Sequence, residues 1–236
     1  MKEYFEKLYK DSKENFKNIL DECLLNGKKY FIITANPETF MMSNENEELR
    51  NALLNKESVI VADGIGIVKG AKILNYNIKE TITGVELCTA LLEKCNKYGK
   101  SIYFFGAKQD VLHKLLEVVK IEYPNIIISG FTNGYVDNKN KVFDEIYSLQ
   151  PDVCFVALGI PMQEILINNN FARFNKGIFM GVGGSFDVIS GIKKRAPKIF
   201  VNTHTEWLYR ITKEPKRLKR FFKYNIKYLF KLKYLK

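Results

Sequence analysis

The sequence predicts a doubly wound α/β fold, a mostly parallel sheet covered by helices on both faces. Two patterns predict it. Strand-length apolar runs lack the alternation of a half-exposed sheet, and amphipathic helical segments separate them. A third observation concerns position. Glycines and polar residues gather just beyond these runs, where such folds bind their ligands. The 236 residues suit one large α/β domain with an appendage.

Residues 1–20 are charged throughout and read as one amphipathic helix without the apolar core of a signal peptide. The strands follow at 29–35, 58–63, 101–107, 125–131, 152–159 and 177–184. Amphipathic segments at 44–55, 84–98, 108–122, 140–149 and 161–173 lie between them. No apolar run approaches the roughly 18 residues that cross a bilayer. A cytoplasmic protein is expected. Cys23, Cys88, Cys95 and Cys154 form no CxxC pair and read as small buried side chains in a reducing compartment. With only His113 and His204 available, no metal site is expected.

Charge divides the chain into a core at 1–191 and an appendage at 192–236. The appendage holds fifteen Lys/Arg against two acids, although the whole chain carries only +11. The core is therefore close to neutral, and the basic tail calls for an anionic surface or ligand. From Lys216 onward Leu218, Phe221, Phe222, Leu229 and Leu232 interleave with lysines, the pattern of a helix lying on an anionic membrane. Single-stranded nucleic acid, which stacks on aromatic residues, is the rival reading of the tail. Arg210, Arg217 and Arg220 fall on one helical face, with Pro215 starting a new helix between the first and the other two. Arginine grips phosphate in bidentate fashion.

The strand ends carry the candidate site. Thr34 and Asn36 follow the first strand and Asp63 the second; Gly106 follows the third, and Tyr135 lies past the fourth. "GIPMQE" (159–164) follows the fifth and "GVGGSFD" (181–187) the sixth. Asp63 closes an apolar strand, where aspartate is a poor fit. It reads as a catalytic base, with a helix N-cap as the competing role. Gln163 and Glu164 open a helix. A carboxylate there suits the helix dipole, and an amide beside it suits sugar hydroxyls. Gly183 and Gly184 can offer backbone N–H groups to a diphosphate, or simply make a tight turn. "GIGIVKG" (64–70) has the spacing GxGxxxG, and an acid precedes it, so it fails as a dinucleotide fingerprint.

Taken together, "TAN", "ADGIGIV", "TG" (83–84), "FFGA", "YP" (123–124), "GY" (134–135), "LGIPMQE", "GVGGSFD", "RAP" (195–197) and "EWLYR…EPKRLKR" resemble the WecG/TagA/CpsF family of bacterial glycosyltransferases. The resemblance runs from about residue 28 to residue 220, in the family's order. It implies a Rossmann-like fold with a basic, amphipathic, helical C-terminal appendage. It implies an inverting, metal-independent transfer of a sugar, often N-acetylmannosamine from UDP, to polyprenyl-diphosphate-linked N-acetylglucosamine, for surface polymers such as teichoic acid or capsule. No cofactor is implied. By matching motif positions, Asp63 takes the proposed general base. Thr34, Asn36 and Gln163 match polar active-site positions, and Arg210, Arg217 and Arg220 match arginines that reach the diphosphate. Glu164 and Arg195 join the expected substrate-binding set. Gly106, Tyr135, Gly159, Gly183, Gly184 and Asp187 form the expected nucleotide-binding set. Met162 stands where the family commonly has lysine, which removes one charge near the site. The expected partners are a UDP-sugar, the lipid-linked acceptor and the inner face of an anionic membrane, touched by residues 216–236. A homo-oligomer is compatible with the sequence. The alternatives are a basic nucleic-acid-binding protein, which would bind oligonucleotides in a salt-sensitive way, and an NAD-dependent oxidoreductase, which would bind nicotinamide at 64–70.

Overall fold

The computed structural model describes residues 1–197, 199–200, 203, 205–213 and 216–235. Pro215 and His204 lie outside the described residues, as do the side chains of Arg210, Arg217 and Arg220.

The expected α/β fold is observed as one six-stranded parallel sheet, in the order β2-β1-β6-β5-β3-β4. Its strands are β1 (Lys29–Ala35), β2 (Ser58–Ala62), β3 (Ser101–Gly106), β4 (Ile127–Thr132), β5 (Val153–Ala157) and β6 (Gly177–Gly181). The four inner strands are buried almost throughout, which explains their unbroken apolar runs. β4 departs from the expectation. It is an edge strand, and Ile127 and Phe131 are exposed on it.

The N-terminal segment forms two helices rather than one, α1 (Lys2–Lys7) and α2 (Lys13–Asn26). Ser12 makes the break: its hydroxyl accepts the Asn15 N–H and caps α2. Next come α3 (Pro37–Met42), α4 (Glu47–Leu54), α5 (Ile65–Ile73), α6 (Gly84–Tyr98), α7 (Gln109–Glu122), α8 (Lys139–Leu149), α9 (Met162–Phe171) and α10 (Ser185–Ile189). The tail supplies α11 (Glu206–Lys213) and α12 (Lys216–Leu235).

Two apolar layers sandwich the sheet. Residues of α1, α3, α4, α5, α8, α9 and α12 pack on one face, and residues of α2, α6, α7 and α10 pack on the other. The chain leaves β1 toward the first layer and β6 toward the second. These two strands are neighbours, so their connections part at the carboxyl end of the sheet, the switch point where such folds form a ligand crevice. All four cysteines are buried and free. Burial pushes each thiol above its ordinary value, which leaves them unreactive.

The apolar residues of α12 serve two surfaces. Tyr224, Tyr228 and Leu232, spaced four apart, are buried in the core against α3 and α5. Leu232 was expected on the lipid-facing stripe and instead belongs to the core. Phe221 stacks on Trp207 of α11, with ring centroids 4.6 Å apart. Leu218, Phe222, Ile226, Leu229 and Phe230 remain exposed as a second stripe. Lys223 and Lys227 anchor the helix by pairing with Glu45 in the loop after α3. No described helix is long and apolar enough to cross a membrane.

Candidate active site

Thr34 is buried one residue before the end of β1, and Asn36 follows the strand as the N-cap of α3. The Asn36 amide oxygen accepts the Thr39 N–H at 3.0 Å, while the Thr39 hydroxyl accepts the Asn36 N–H at 3.2 Å. Asn36 thus has a structural role in a capping box, with Pro37 at the first helical position. The signal was legible in "NPET", and α3 was missed because the predicted helix began at residue 44.

Asp63 follows β2 and is half-buried. Its N–H donates to the Ala35 carbonyl at 2.9 Å, which ties this turn to the end of β1 beside Asn36. The N-cap of α5 is Gly64 rather than Asp63. Gly64 has φ of 102°, a backbone conformation that favours glycine. The "GIGIVKG" segment is the first turns of α5. A Cβ on Gly66 would stand 2.8 Å from the Pro37 ring, so this glycine lets α5 approach α3.

α6 brings its N-terminus to the same crevice. Thr83 caps it and Glu86 closes the capping box, a signal present in "TGVE". Lys13 holds Glu86 at 3.1 Å and joins α2 to this corner. A Cβ on Gly84 would stand 3.4 Å from the Thr34 hydroxyl and 3.8 Å from the Ser185 hydroxyl. Glycine therefore keeps open a small gap between two buried hydroxyls at a helix N-terminus. Gly84 and Ser185 escaped the residue-level reading. A hydroxyl gives no periodic signal, and only the fold places residues 34, 84 and 185 together.

Gln163, in the first turn of α9, is 2% exposed, so it is not positioned as an open sugar contact. Its amide oxygen accepts two backbone N–H groups, from Gly159 and from Gly183, each at 3.0 Å. Its amide nitrogen donates to Glu164 at 2.7 Å. A Cβ on Gly181 would lie 2.9 Å from two carbons of the Gln163 side chain, so Gly181 makes room for it. Glu164 is 1% exposed, and its second oxygen has no partner among the described residues. Burial pushes its carboxyl up to about 7, and the hydrogen bond from Gln163 only partly offsets this.

That shift has a stability consequence. Between about 4.5 and about 7 the folded chain keeps a proton that the unfolded chain has released. Stability should therefore fall as pH rises through this window, by on the order of 3 kcal/mol, and level off above it. Chemical denaturation at pH 5, 6, 7 and 8 checks this. Glu164→Gln should remove that part of the slope.

The other predicted residues are more dispersed. Gly106 ends β3 with φ of 120°, packed on Ala157 of β5. Asp187, in α10, pairs with Lys193 at 3.1 Å. Arg195 is exposed. Tyr135 is 73% exposed and borders a hollow of about 470 Å³ between β4 and α8, shared with Thr132, Asn138 and Glu145. α12 reaches the Asp63 corner directly: the Tyr228 hydroxyl donates to the Gly66 carbonyl at 3.1 Å. Among the described residues no three His, Cys, Asp or Glu side chains gather as a metal-binding group.

The sheet order defines a Rossmann-like α/β protein, and the switch point between β1 and β6 is its candidate ligand site. Sequence comparison gives the family. Residues 7–236 match the model of the glycosyl transferase WecG/TagA/CpsF family, and the chain belongs to it. Several relatives carry the name N-acetylglucosaminyldiphosphoundecaprenol N-acetyl-beta-D-mannosaminyltransferase, among them the following three. The chain is similar to that of Bacillus spizizenii (strain W23) at 40% identity, over 82% of this chain and 75% of the relative. It is 39% identical to that of Bacillus subtilis (strain 168), over 80% and 73%, and 36% identical to that of Staphylococcus aureus (strain MW2), over 80% and 74%.

Proposed function

We propose that this chain transfers N-acetylmannosamine from UDP to N-acetylglucosamine carried on a polyprenyl diphosphate, with inversion and without a metal ion, in the synthesis of a surface polymer. The single observation that carries this reading is the similarity to relatives of that name at 36–40% identity. The geometry supports it. An inverting transfer needs one base to take the acceptor's proton while UDP leaves from the opposite side of the sugar. Asp63 has the chemistry for that role and stands at a strand end beside the crevice. The leaving diphosphate needs positive potential. The N-terminus of α6, the backbone N–H of Gly184 and the arginines of α11 and α12 are the candidate sources.

The acceptor is a lipid, and the exposed stripe of α12 suits a peripheral place on an anionic membrane. Phe222 and Leu229 are 50% and 62% exposed there, among lysines. In sedimentation with vesicles, binding is expected to anionic phospholipid and to weaken with salt. Binding to oligonucleotides but not to vesicles would favour the nucleic-acid alternative. The direct test of the reaction is UDP release from UDP-N-acetylmannosamine, with and without a soluble lipid-linked N-acetylglucosamine. Acceptor-dependent release is expected, and the anomeric configuration of the product reports inversion. Arg217→Ala and Arg220→Ala should each lower transfer by about tenfold or more while the melting midpoint stays within a few degrees. A collapsed melting point would make these arginines structural.

A further inference from the structure

Gln163 ties together two loops that come from different strands. The Gly159 loop follows β5, the Gly183 loop follows β6, and one amide oxygen accepts an N–H from each. An amide has two ends, and only one orientation works here. Turned over, its NH₂ would face two backbone donors. The group that selects the orientation is Glu164, whose Oε1 receives the amide nitrogen at 2.7 Å. We propose that Glu164 is a positioning residue: by accepting the Gln163 amide hydrogen it holds the β5–α9 and β6–α10 loops in register around the site. The importance of those loops for transfer rests on the function proposed above, whereas the tie itself does not.

The burial of Glu164 explains why it acts through Gln163 and not on a ligand. It is 1% exposed, and its partner Gln163 is only 2% exposed. It is also a poor place for a charge. α9 packs on α4, α8, β1, β5 and β6. Among the described residues no charged side chain from these elements acts on Glu164; its polar partners are Gln163 and its own backbone N–H. The second carboxyl oxygen is fully buried and unpartnered. A neutral acid tolerates this better than a carboxylate, because an unpaired buried charge costs far more than an unpaired hydroxyl. Ionisation therefore admits water or opens the packing, and the loop tie loosens with it. Burial places that ionisation at about 7.

The experiment compares wild type, Glu164→Leu and Glu164→Gln by amide hydrogen exchange and by donor kinetics. Leu removes the acceptor at similar volume. Gln retains an accepting oxygen and imitates the neutral acid. In wild type, peptides spanning 157–164 and 180–187 should gain exchange together between pH 6 and 8, beyond the intrinsic base-catalysed rise. In Glu164→Leu both should exchange faster at every pH. Donor KM should rise about tenfold while kcat changes less. Glu164→Gln should keep both peptides protected across the range, and its donor KM should stay level from pH 6 to 8, where that of wild type should rise. Exchange that stays at wild-type levels in Glu164→Leu would overturn the proposal. So would a Glu164→Gln protein as impaired as Glu164→Leu, because the charge itself would then be needed. If no nucleotide sugar turns over in wild type, the functional reading fails, and the exchange data still decide the loop tie.

Discussion

Asp63→Asn is expected to lower turnover by roughly 10²–10⁴ while leaving the fold intact. The substitution keeps the shape of the side chain and removes its ability to accept a proton. Backbone contacts hold the local turn. The turn is fixed by the Asp63 N–H to the Ala35 carbonyl, and the N-cap of α5 falls on Gly64. A melting midpoint within a few degrees of wild type is therefore expected. Because a base acts in the transition state, the loss should fall on kcat and spare donor KM. The acid limb of the pH–rate profile should vanish with it. Unchanged turnover would reduce Asp63 to a turn residue, and a large fall in melting point would show that the carboxylate stabilises the turn.

The sequence made the sheet legible and left the connections between its loops hidden. β1 occupies the predicted residues, and α6 does too, because their patterns match the periods of buried strand and amphipathic helix over their whole length. α3 and α5 were missed for different reasons. α3 is six residues, too short to show a period, and only its cap announces it. α5 was weighed as a nucleotide fingerprint, and its glycines turn out to serve helix packing against Pro37 and Tyr228. At the candidate site, Asp63 was legible as an acid out of place in a strand. The work of Gln163 was not, since its two backbone partners lie 4 and 20 residues away and meet only when β5 and β6 pair. The split of α12 into a docked face and an exposed face was hidden for a similar reason. Leu232 read as part of the exposed stripe, and only α3 and α5 standing opposite place it with Tyr224 and Tyr228 in the core.

Gly70→Ala should detach α12 from the body. In an exposed helix this change stabilises by about 1 kcal/mol, because alanine is the better helix former. Here packing decides the sign. A Cβ at position 70 would overlap the Tyr228 hydroxyl, and would lie 3.0 Å from Tyr228 Cζ and 3.2 Å from Leu232 Cδ1. Both partners are buried and rigidly held, so the ring cannot swing away. Overpacking of this kind costs about 1–3 kcal/mol. If the helix leaves, burial of Tyr224, Tyr228 and Leu232 goes too, at roughly 1.5–3 kcal/mol for a large apolar side chain. The net loss far exceeds the gain in propensity. Lys223 and Lys227, held by Glu45 in the native chain, should become rapid sites of tryptic cleavage. Transfer should fall as well, since Tyr228 seats on Gly66, three residues from Asp63, and the same helix carries Arg217 and Arg220. Tyr228→Phe added to Gly70→Ala removes the overlapping oxygen and should restore part of the protection, although Phe alone forfeits the hydrogen bond to Gly66, worth about 1 kcal/mol. Wild-type cleavage and melting in the single Gly70→Ala protein would mean that α12 does not dock through this glycine, and the loss of transfer in arginine variants would then need another explanation.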